Sequence, residues 1–365
     1  MAVEVLRDGI TVRLADSAGN ILDHLYCQPR KRAYTLTSLA EPAPEITLRI
    51  GHITPHSDAR VLAAVCLGLP QFALAPERLV PQYHLSDRAA WPADPYAEPG
   101  IEDAGGRLRD RVFRSIDRPV ATTWLHNLRV LLEPRDEQSH CLMKWGLYEP
   151  ESLLVMQGRL KPGDVMVDVG ANCGLYALVA ARSVGPRGRV IALEPSPREF
   201  ARLQENVVLN GFTQVHCAPV AVSDVTGQVR LHIAQPPFGG HNTMAERFVQ
   251  EGVVLAEART VPSVTLDELL RDADRCDLIK LDIEGAELHA LRGAAASLDR
   301  FRPALLLEVN PAMLAANGTS AADLLDWLRQ RGYVVHGIDA TTGALAKPVI
   351  AGERTVNVLC LASDQ

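Results

Sequence analysis

A chain of 365 residues, 47% hydrophobic and with a mean hydropathy of +0.01, is long enough for two packed domains and too apolar for disorder on a large scale. A formal net charge of −7 argues against a nucleic-acid substrate, which asks for basic patches, and seven scattered cysteines without a Cys-x-x-Cys read as reduced, packing thiols. The first eight residues lack a basic stretch leading into an apolar core, and the longest apolar run, 61–69, stops at Pro70 well short of a bilayer span, so a cytoplasmic protein that does not enter a membrane is expected.

Residues 1–105 read as a small mixed or strand-rich domain. Short alternating runs at 10–14 and 46–50 are separated by Ser, Gly, Asp and Pro clusters, and 59–69 has helical character. His52 and His56 are four apart, but Pro55 between them spoils a helical metal pair and makes surface histidines the better reading. Residues 91–106, rich in Pro, Gly, Ala and Asp, suggest a linker. A connecting segment, 106–147, follows, with one or two strands, or a strand and a short helix, over 120–133. Substrate binding, a lid and dimerisation all remain open as roles for the N-terminal domain, and a homodimer with them.

From residue 148 to 365 the pattern is that of an α/β sheet domain. Tyr148-Glu149-Pro150-Glu151 opens a helix that runs through Gly158, with Pro150 suited to its first position. Alternating Val165, Val167 and Val169, bounded by Pro162 and Gly163, predict a buried strand. Asp168 lies near its tip, Gly170 and Gly174 bracket a tight turn, and an apolar helix covers 175–184. Strand, glycine turn and helix make a cofactor cradle. The dinucleotide spacing is Gly-x-Gly-x-x-Gly, whereas this chain has Asp-x-Gly-x-x-x-Gly, with an acid where a pyrophosphate would be repelled. The spacing points to a cationic ligand without phosphate, as S-adenosylmethionine is. Cys173, inside the turn, has no basic partner in sequence and reads as packing rather than as a nucleophile.

The strand 190–193 ends in Glu194, placed to accept both hydroxyls of a ribose. Ser196-Pro197-Arg198-Glu199 has the form of a capping box, and Phe200, Leu203 and Val207 carry the helix to Asn210-Gly211. A strand over 216–222 follows, with Ser223 at its tip facing an adenine, then a turn at 224–227 and a strand over 228–233. Residues 235–260, with three glycines and no sustained period, suit a mobile lid or substrate loop. Gln235-Pro236-Pro237-Phe238 resembles the Asp/Asn-Pro-Pro-Tyr/Phe motif of amino-directed nucleic-acid methyltransferases only superficially, since its first residue differs and it does not follow the fourth parallel strand. That strand is 278–281, running into Asp282-Ile283-Glu284-Gly285-Ala286-Glu287; Glu284 and Glu287 suit either function or the N-terminus of the next helix. A strand over 304–309, a helix over 320–331 stopped by Gly332, and an antiparallel pair over 333–338 and 355–361 complete the sheet. Asp168, Glu194, Ser223 and Asp282 would then gather on the rim where strands end.

Together the runs 148–151, 168–174, 184–190, 194–197, 221–224 and 279–287 are similar to the FkbM family of S-adenosylmethionine-dependent methyltransferases, over about residues 145–310. The resemblance implies a class I methyltransferase (Rossmann-like) fold, a doubly wound seven-stranded sheet with an antiparallel last strand, and O-methylation of sugars or polyketide-type natural products. It implies that Asp168, Gly170, Asn172 and Gly174 line the methionine side of the cofactor, that Glu194 lies at the ribose and Ser223 toward the adenine, and that Asp282 faces the methionine or the acceptor; Ala171 and Ser196 are further cofactor-binding candidates.

Methyl transfer from a sulfonium asks the protein to hold an oxygen about 3 Å from the methyl group and to take its proton. Candidates for the base are His241, Asp282 and Glu284, with Lys280 as an orienter. Asp282 and Glu284 could alternatively hold Mg²⁺, but a third ligand is missing and no metal is favoured. The expected partner is a hydroxylated small molecule, with S-adenosylhomocysteine as the second product. Two other classes stand beside this reading: a nicotinamide oxidoreductase, which would need phosphate-binding glycines, and a non-catalytic binding module with a vestigial pocket.

Overall fold

The computed structural model describes residues 2–6, 9–15, 21–27, 34–36, 80–88, 110, 113–114, 116–125, 128–246, 252–339, 343–348 and 354–363. The expected strand at 46–50, the helix at 59–69, the linker at 91–106 and the pair His52 and His56 lie outside these residues. The chain divides into two units: Met1–Tyr83, Ala90–His126 and Leu132–Tyr148 form one, and His84–Ala89, Asn127–Leu131 and Glu149–Gln365 the other.

The first unit holds an antiparallel sheet of β1 (Ala2–Leu6), β2 (Gly9–Ala15), β3 (Ile21–Cys27) and β4 (Tyr34–Leu36), paired in chain order. Alternation at Ile10, Val12 and Leu14 in β2 is the signal that made this strand legible. Further along lies β5 (Val120–Trp124), then β6 (Leu128–Leu132), most of which belongs to the second unit. Helix α1 (Glu137–Trp145) is capped by Asp136, whose carboxylate accepts from the Ser139 N–H, and is closed by Gly146 at φ 75°.

The second unit is the α/β domain. It runs α2 (Pro150–Arg159), β7 (Val165–Val169), α3 (Leu175–Val184), β8 (Arg189–Leu193), α4 (Pro197–Asn210) and β9 (Val215–Ala218). There follow β10 (Ala221–Val222), β11 (Gly227–Ala234), β12 (Leu255–Val264), α5 (Leu266–Leu269), β13 (Leu278–Leu281), α6 (Glu287–Arg292), α7 (Ala295–Phe301) and β14 (Ala304–Val309). The chain closes with α8 (Pro311–Ala316), α9 (Ala321–Gln330), β15 (Tyr333–Ile338), β16 (Leu345–Ala346) and β17 (Val356–Ala362).

The main sheet has the order β16-β15-β17-β14-β13-β7-β8-β9. Strands β14, β13, β7, β8 and β9 are mutually parallel, and β17 slots antiparallel between β14 and β15. The fold is thus the class I methyltransferase sheet with its antiparallel strand inserted, and the two-residue β16 brings the count to eight. From β7 the chain winds outward through β8 and β9, then returns to β13 on the other side. Ligands bind where strand order reverses in this way, beyond the C-terminal ends of β7 and β13. The central strands are continuously apolar because helices cover both faces: Val167, Ile279, Leu281, Leu305 and Leu307 are fully buried. Each such side chain contributes about 1.5–3 kcal/mol of burial.

Two expectations are corrected. The single strand over 216–222 is two strands, since β9 belongs to the main sheet whereas β10 joins a separate sheet of order β10-β12-β11. Pro219, which has no N–H to give a ladder, lies between them. The stretch 235–260 is not wholly loop: β12 begins at Leu255 and pairs antiparallel along β11, from Gly227 opposite Ser263 to Ala234 opposite Leu255. Residues 256–260, Glu257 and Arg259 among them, are all exposed, and only Val261 and Ser263 are buried, so no apolar alternation announces it.

Candidate active site

The turn after β7 is shaped by one close approach. Gly170 has φ 77°, and a Cβ there would lie 1.9 Å from the Asp282 carbonyl oxygen, so only glycine lets the β7 turn and the loop after β13 touch. Gly170→Ala is expected to cost about 2 kcal/mol or more of stability, read as a lower denaturant midpoint at unchanged m-value. The Gly170 and Ala171 N–H groups both donate to the Leu193 carbonyl, which ties the turn to β8. Asn172, itself at φ 49°, donates its N–H to Glu194 Oε2 at 2.8 Å, and its own Oδ1 is buried without a partner among the described residues. Gly174 at φ 93° leads into α3, packed against the Leu203 side chain.

Asp168 is fully buried, and neither carboxylate oxygen has a hydrogen-bond partner among the described residues. Burial pushes its carboxyl up and Lys280 pulls it back. Lys280 is its register partner across β7 and β13, with Nζ 3.7 Å from Asp168 Oδ1, 3.2 Å from Asp282 Oδ2 and 4.6 Å from the centre of the Tyr176 ring. Burial works against the ammonium, yet Asp282, Asp168 and Glu149 outweigh it and hold Lys280 above the ordinary lysine range.

Glu194 accepts the Asn172 N–H on Oε2 and the Ser196 N–H on Oε1, both at 2.8 Å. A carboxylate has about four acceptor positions, so each oxygen keeps one for a ligand hydroxyl. Burial, with Glu199 adding to it, pushes this carboxyl up to about 8 against the pull of the two N–H groups. The capping box at Ser196 is not formed: its hydroxyl donates to Glu199 instead of capping α4, because Glu194 takes the Ser196 N–H that Glu199 would have bound. Ser196 therefore supports the site through its backbone. Ser223 is not at the tip of the third parallel strand, which ends at Ala218. It follows β10, where its N–H donates to Val264 and its hydroxyl to Asp224, and its carbonyl lies against Gly293.

Beyond β13 the loop 282–286 is set by Glu284 at φ 51° and Gly285 at φ 95°, where a Cβ would lie 2.2 Å from the Met313 carbonyl. Glu287 Oε1 accepts from the Ile283 and Gly285 N–H groups at 3.1 and 3.2 Å, so it caps the loop at the start of α6. Glu284 Oε1 lies 2.9 Å from His241 Nδ1. Burial pushes the Glu284 carboxyl up and His241 pulls it down. His241 was expected on a mobile loop, but it ends a turn of 3₁₀ helix at 239–241 that is held on both sides. Asn242 bonds Ala234 and Gly239, Thr243 exchanges two backbone bonds with His232, and the Thr243 hydroxyl donates to the Glu284 carbonyl at 3.0 Å. A Cβ on Gly240 would lie 3.8 Å from Asn172 Nδ2, so the histidine's neighbour reaches the glycine turn.

The structure thus brings together Asp168, the 170–174 turn, Glu194, His241, Asp282 and Glu284, and leaves Ser223 outside by every contact described. Among the described residues no group of three or more His, Cys, Asp or Glu could hold a metal ion; Asp282 is engaged by Lys280 and Glu284 by His241. Two carboxylates near these groups were not anticipated as site residues. Glu149 accepts from the Tyr176 hydroxyl at 2.7 Å and from Asn357 Nδ2 at 3.3 Å. Glu308, near the end of β14, is pushed well up by burial and by Asp282, Glu284 and Glu149. A glutamate inside the apolar run of β14 was the available signal. The Asp168 carboxylate, buried with Lys280 at 3.7 Å as its counter-charge and no close hydrogen bond among the described residues, the unpartnered Asn172 Oδ1 and the open positions on Glu194 fit a ligand that carries a cation at one end and a diol at the other.

Residues 168–335 match the family model described as the methyltransferase FkbM domain. The chain is 29% identical over 209 residues to the AMB antimetabolite synthetase AmbE of Pseudomonas aeruginosa, covering 48% of this chain and 10% of that protein. It is 30% identical over 155 residues to the methyltransferase sdnD of Sordaria araneosa, covering 35% and 59%. It is 27% identical over 180 residues to the 2-O-methyltransferase NoeI of Sinorhizobium fredii, covering 43% and 70%. The chain therefore spans a tenth and about three fifths of the first two of these relatives.

Proposed function

We infer from residues 168–335, which belong to the methyltransferase FkbM family, that this chain is an S-adenosylmethionine-dependent O-methyltransferase acting on a hydroxyl of a small molecule, a sugar or a polyketide-type natural product. The observation that carries the reading is the His241–Glu284 pair, 2.9 Å apart, on a turn that reaches Asn172 of the glycine cradle. The name 2-O-methyltransferase borne by one relative supports a hydroxyl acceptor.

When bound, the cofactor supplies a methyl group on a sulfonium, which is already a good electrophile. Asp168 offers a buried carboxylate whose oxygens make no close hydrogen bond among the described residues to its cationic end, and Glu194 offers one open acceptor position per oxygen to the ribose. With its Nδ1–H donated to Glu284, His241 presents Nε2 as the lone-pair nitrogen that takes the acceptor's hydroxyl proton, and Glu284 stabilises the imidazolium that results. Lys280 holds Asp282 beside the cradle and balances Asp168.

Calorimetric titration with S-adenosylmethionine, S-adenosylhomocysteine and NADH tests the cofactor, and transfer of a labelled methyl group to a panel of glycosides and macrolides tests the acceptor. The reading requires binding of both adenosyl ligands. Binding of NADH alone would replace it with an oxidoreductase.

Glu194 makes the ribose end pH-dependent. Its carboxyl sits at about 8, above the ordinary 4.5, so the ionised form that can accept both hydroxyls is gained as pH rises. Affinity for 5′-methylthioadenosine is expected to increase as pH rises through about 8 and to level off about one unit above it, and Glu194→Gln should flatten the curve. The sign for stability is opposite: the folded state holds this proton more tightly than the unfolded chain, so the ligand-free protein loses stability as pH rises from about 4.5 through about 8.

A further inference from the structure

We propose that Glu149 is a positioning residue of the cofactor pocket, acting through Tyr176 and Lys280 to keep Asp168 charged; this rests on the cofactor reading above. Nothing in the local sequence asks Glu149 to do this. It precedes Pro150, the first residue of α2, and an ordinary residue in that place adopts an extended conformation and caps the helix with its side chain. Glu149 instead has φ 42° and ψ 53° and makes no side-chain capping bond. Both departures serve one end, since they turn its carboxylate to the Tyr176 hydroxyl at 2.7 Å and Asn357 Nδ2 at 3.3 Å.

The non-glycine residues with positive φ among those described are Leu125, Glu149, Asn172, Glu284 and Arg302. Asn172 and Glu284 are already members of the site, one bonding Glu194 and the other His241. Strained backbone of this kind persists where the surroundings hold it for function. Glu149 is a third such residue, and its partners lead inward. Tyr176, in the first turn of α3, is 5% exposed, and its ring lies under Lys280 Nζ at 4.6 Å. Lys280 in turn stands 3.7 Å from Asp168 and 3.2 Å from Asp282. With the Tyr176 hydroxyl pinned, the ring fixes the ammonium between the two acids. Released, the ring can swing, Lys280 can settle on Asp282 alone, and Asp168 is left buried without a counter-charge, where it takes up a proton.

The test compares Glu149→Gln, Glu149→Gly and Tyr176→Phe with the wild-type chain by calorimetry with two probes, S-adenosylhomocysteine and 5′-methylthioadenosine, and by thermal melting. Only the first probe carries the ammonium that Asp168 would face; both carry the ribose that Glu194 would take. Glu149→Gly and Tyr176→Phe are expected to lose about tenfold in affinity for S-adenosylhomocysteine, Glu149→Gln, whose amide oxygen still accepts from the Tyr176 hydroxyl, is expected to stay near wild type, and all three should stay within about twofold for methylthioadenosine. Glu149→Gly, free to adopt positive φ without strain, should melt no lower than wild type. Unchanged affinity for S-adenosylhomocysteine in Glu149→Gly and Tyr176→Phe overturns the proposal, and so does an equal loss for both probes accompanied by a lower melting temperature, which marks a structural role. If the wild-type chain binds methylthioadenosine but not S-adenosylhomocysteine, the link from Asp168 to the ammonium is wrong. If it binds neither, the cofactor reading itself fails.

Discussion

Asp168→Ala is expected to weaken S-adenosylhomocysteine binding by about two to three orders of magnitude while leaving the fold intact. The surroundings of the carboxylate in the ligand-free protein set both expectations. It is fully buried, makes no hydrogen bond among the described residues, and has Lys280 at 3.7 Å as its counter-charge. Its desolvation is therefore poorly compensated within the protein, and removal relieves that cost. Removing one member of a buried ion pair is usually destabilising because the other is stranded, but Lys280 keeps Asp282 at 3.2 Å. The net change in stability should be within about 1 kcal/mol. Binding is a different matter: truncating a desolvated charge that meets an opposite charge costs about 2–5 kcal/mol, which sets the expected loss. Asp168→Asn, of equal volume but uncharged, should bind as poorly as the alanine variant and melt near wild type. Near-native affinity in either variant would remove Asp168 from the cradle.

The same residue shows what was legible in the sequence. Asp168, the glycines of the turn and Glu194 sit at strand ends whose apolar, β-branched runs declare themselves locally, so their position on one rim follows from the parallel order alone. The helix over 175–184 and the strands over 165–169 and 304–309 fall where the periodicity puts them. What was not legible depends on contacts between distant segments. No local signal tells that Glu149 leaves its helix cap for Tyr176, or that Glu194 takes the N–H that would complete a capping box at Ser196. Ser223 was misplaced because 216–222 reads as one strand, and only the competition of two sheets for its halves divides it. β12 was missed for a related reason, since a strand exposed on both faces over 256–260 has no apolar alternation to find. His241 itself was legible as a candidate, but not the order of its turn, which β11 anchors through its bridge to Thr243.

His241→Ala should lower methyl transfer by about 10²–10³ while S-adenosylhomocysteine affinity stays within about twofold of wild type. A positioned general base contributes about 10²–10⁴, and the lower part of that range suits a reaction whose electrophile needs no activation. Orientation is what the structure supplies. The 3₁₀ turn places the ring, Phe238 flanks it with ring centres 5.8 Å apart, and Glu284 holds Nδ1 at 2.9 Å. Glu284→Gln separates the two functions of the carboxylate. The amide oxygen still accepts from Nδ1–H and so preserves the tautomer, but it carries no charge to stabilise the imidazolium, so the loss should be about tenfold and smaller than for His241→Ala. The measurement is initial rate with saturating cofactor and a saturating acceptor found by the labelled-methyl screen. Turnover unchanged in His241→Ala would mean that the hydroxyl gives up its proton elsewhere, with Asp282 the neighbouring acid to examine, and would leave the cradle argument untouched, because His241 contributes nothing to cofactor affinity in this account.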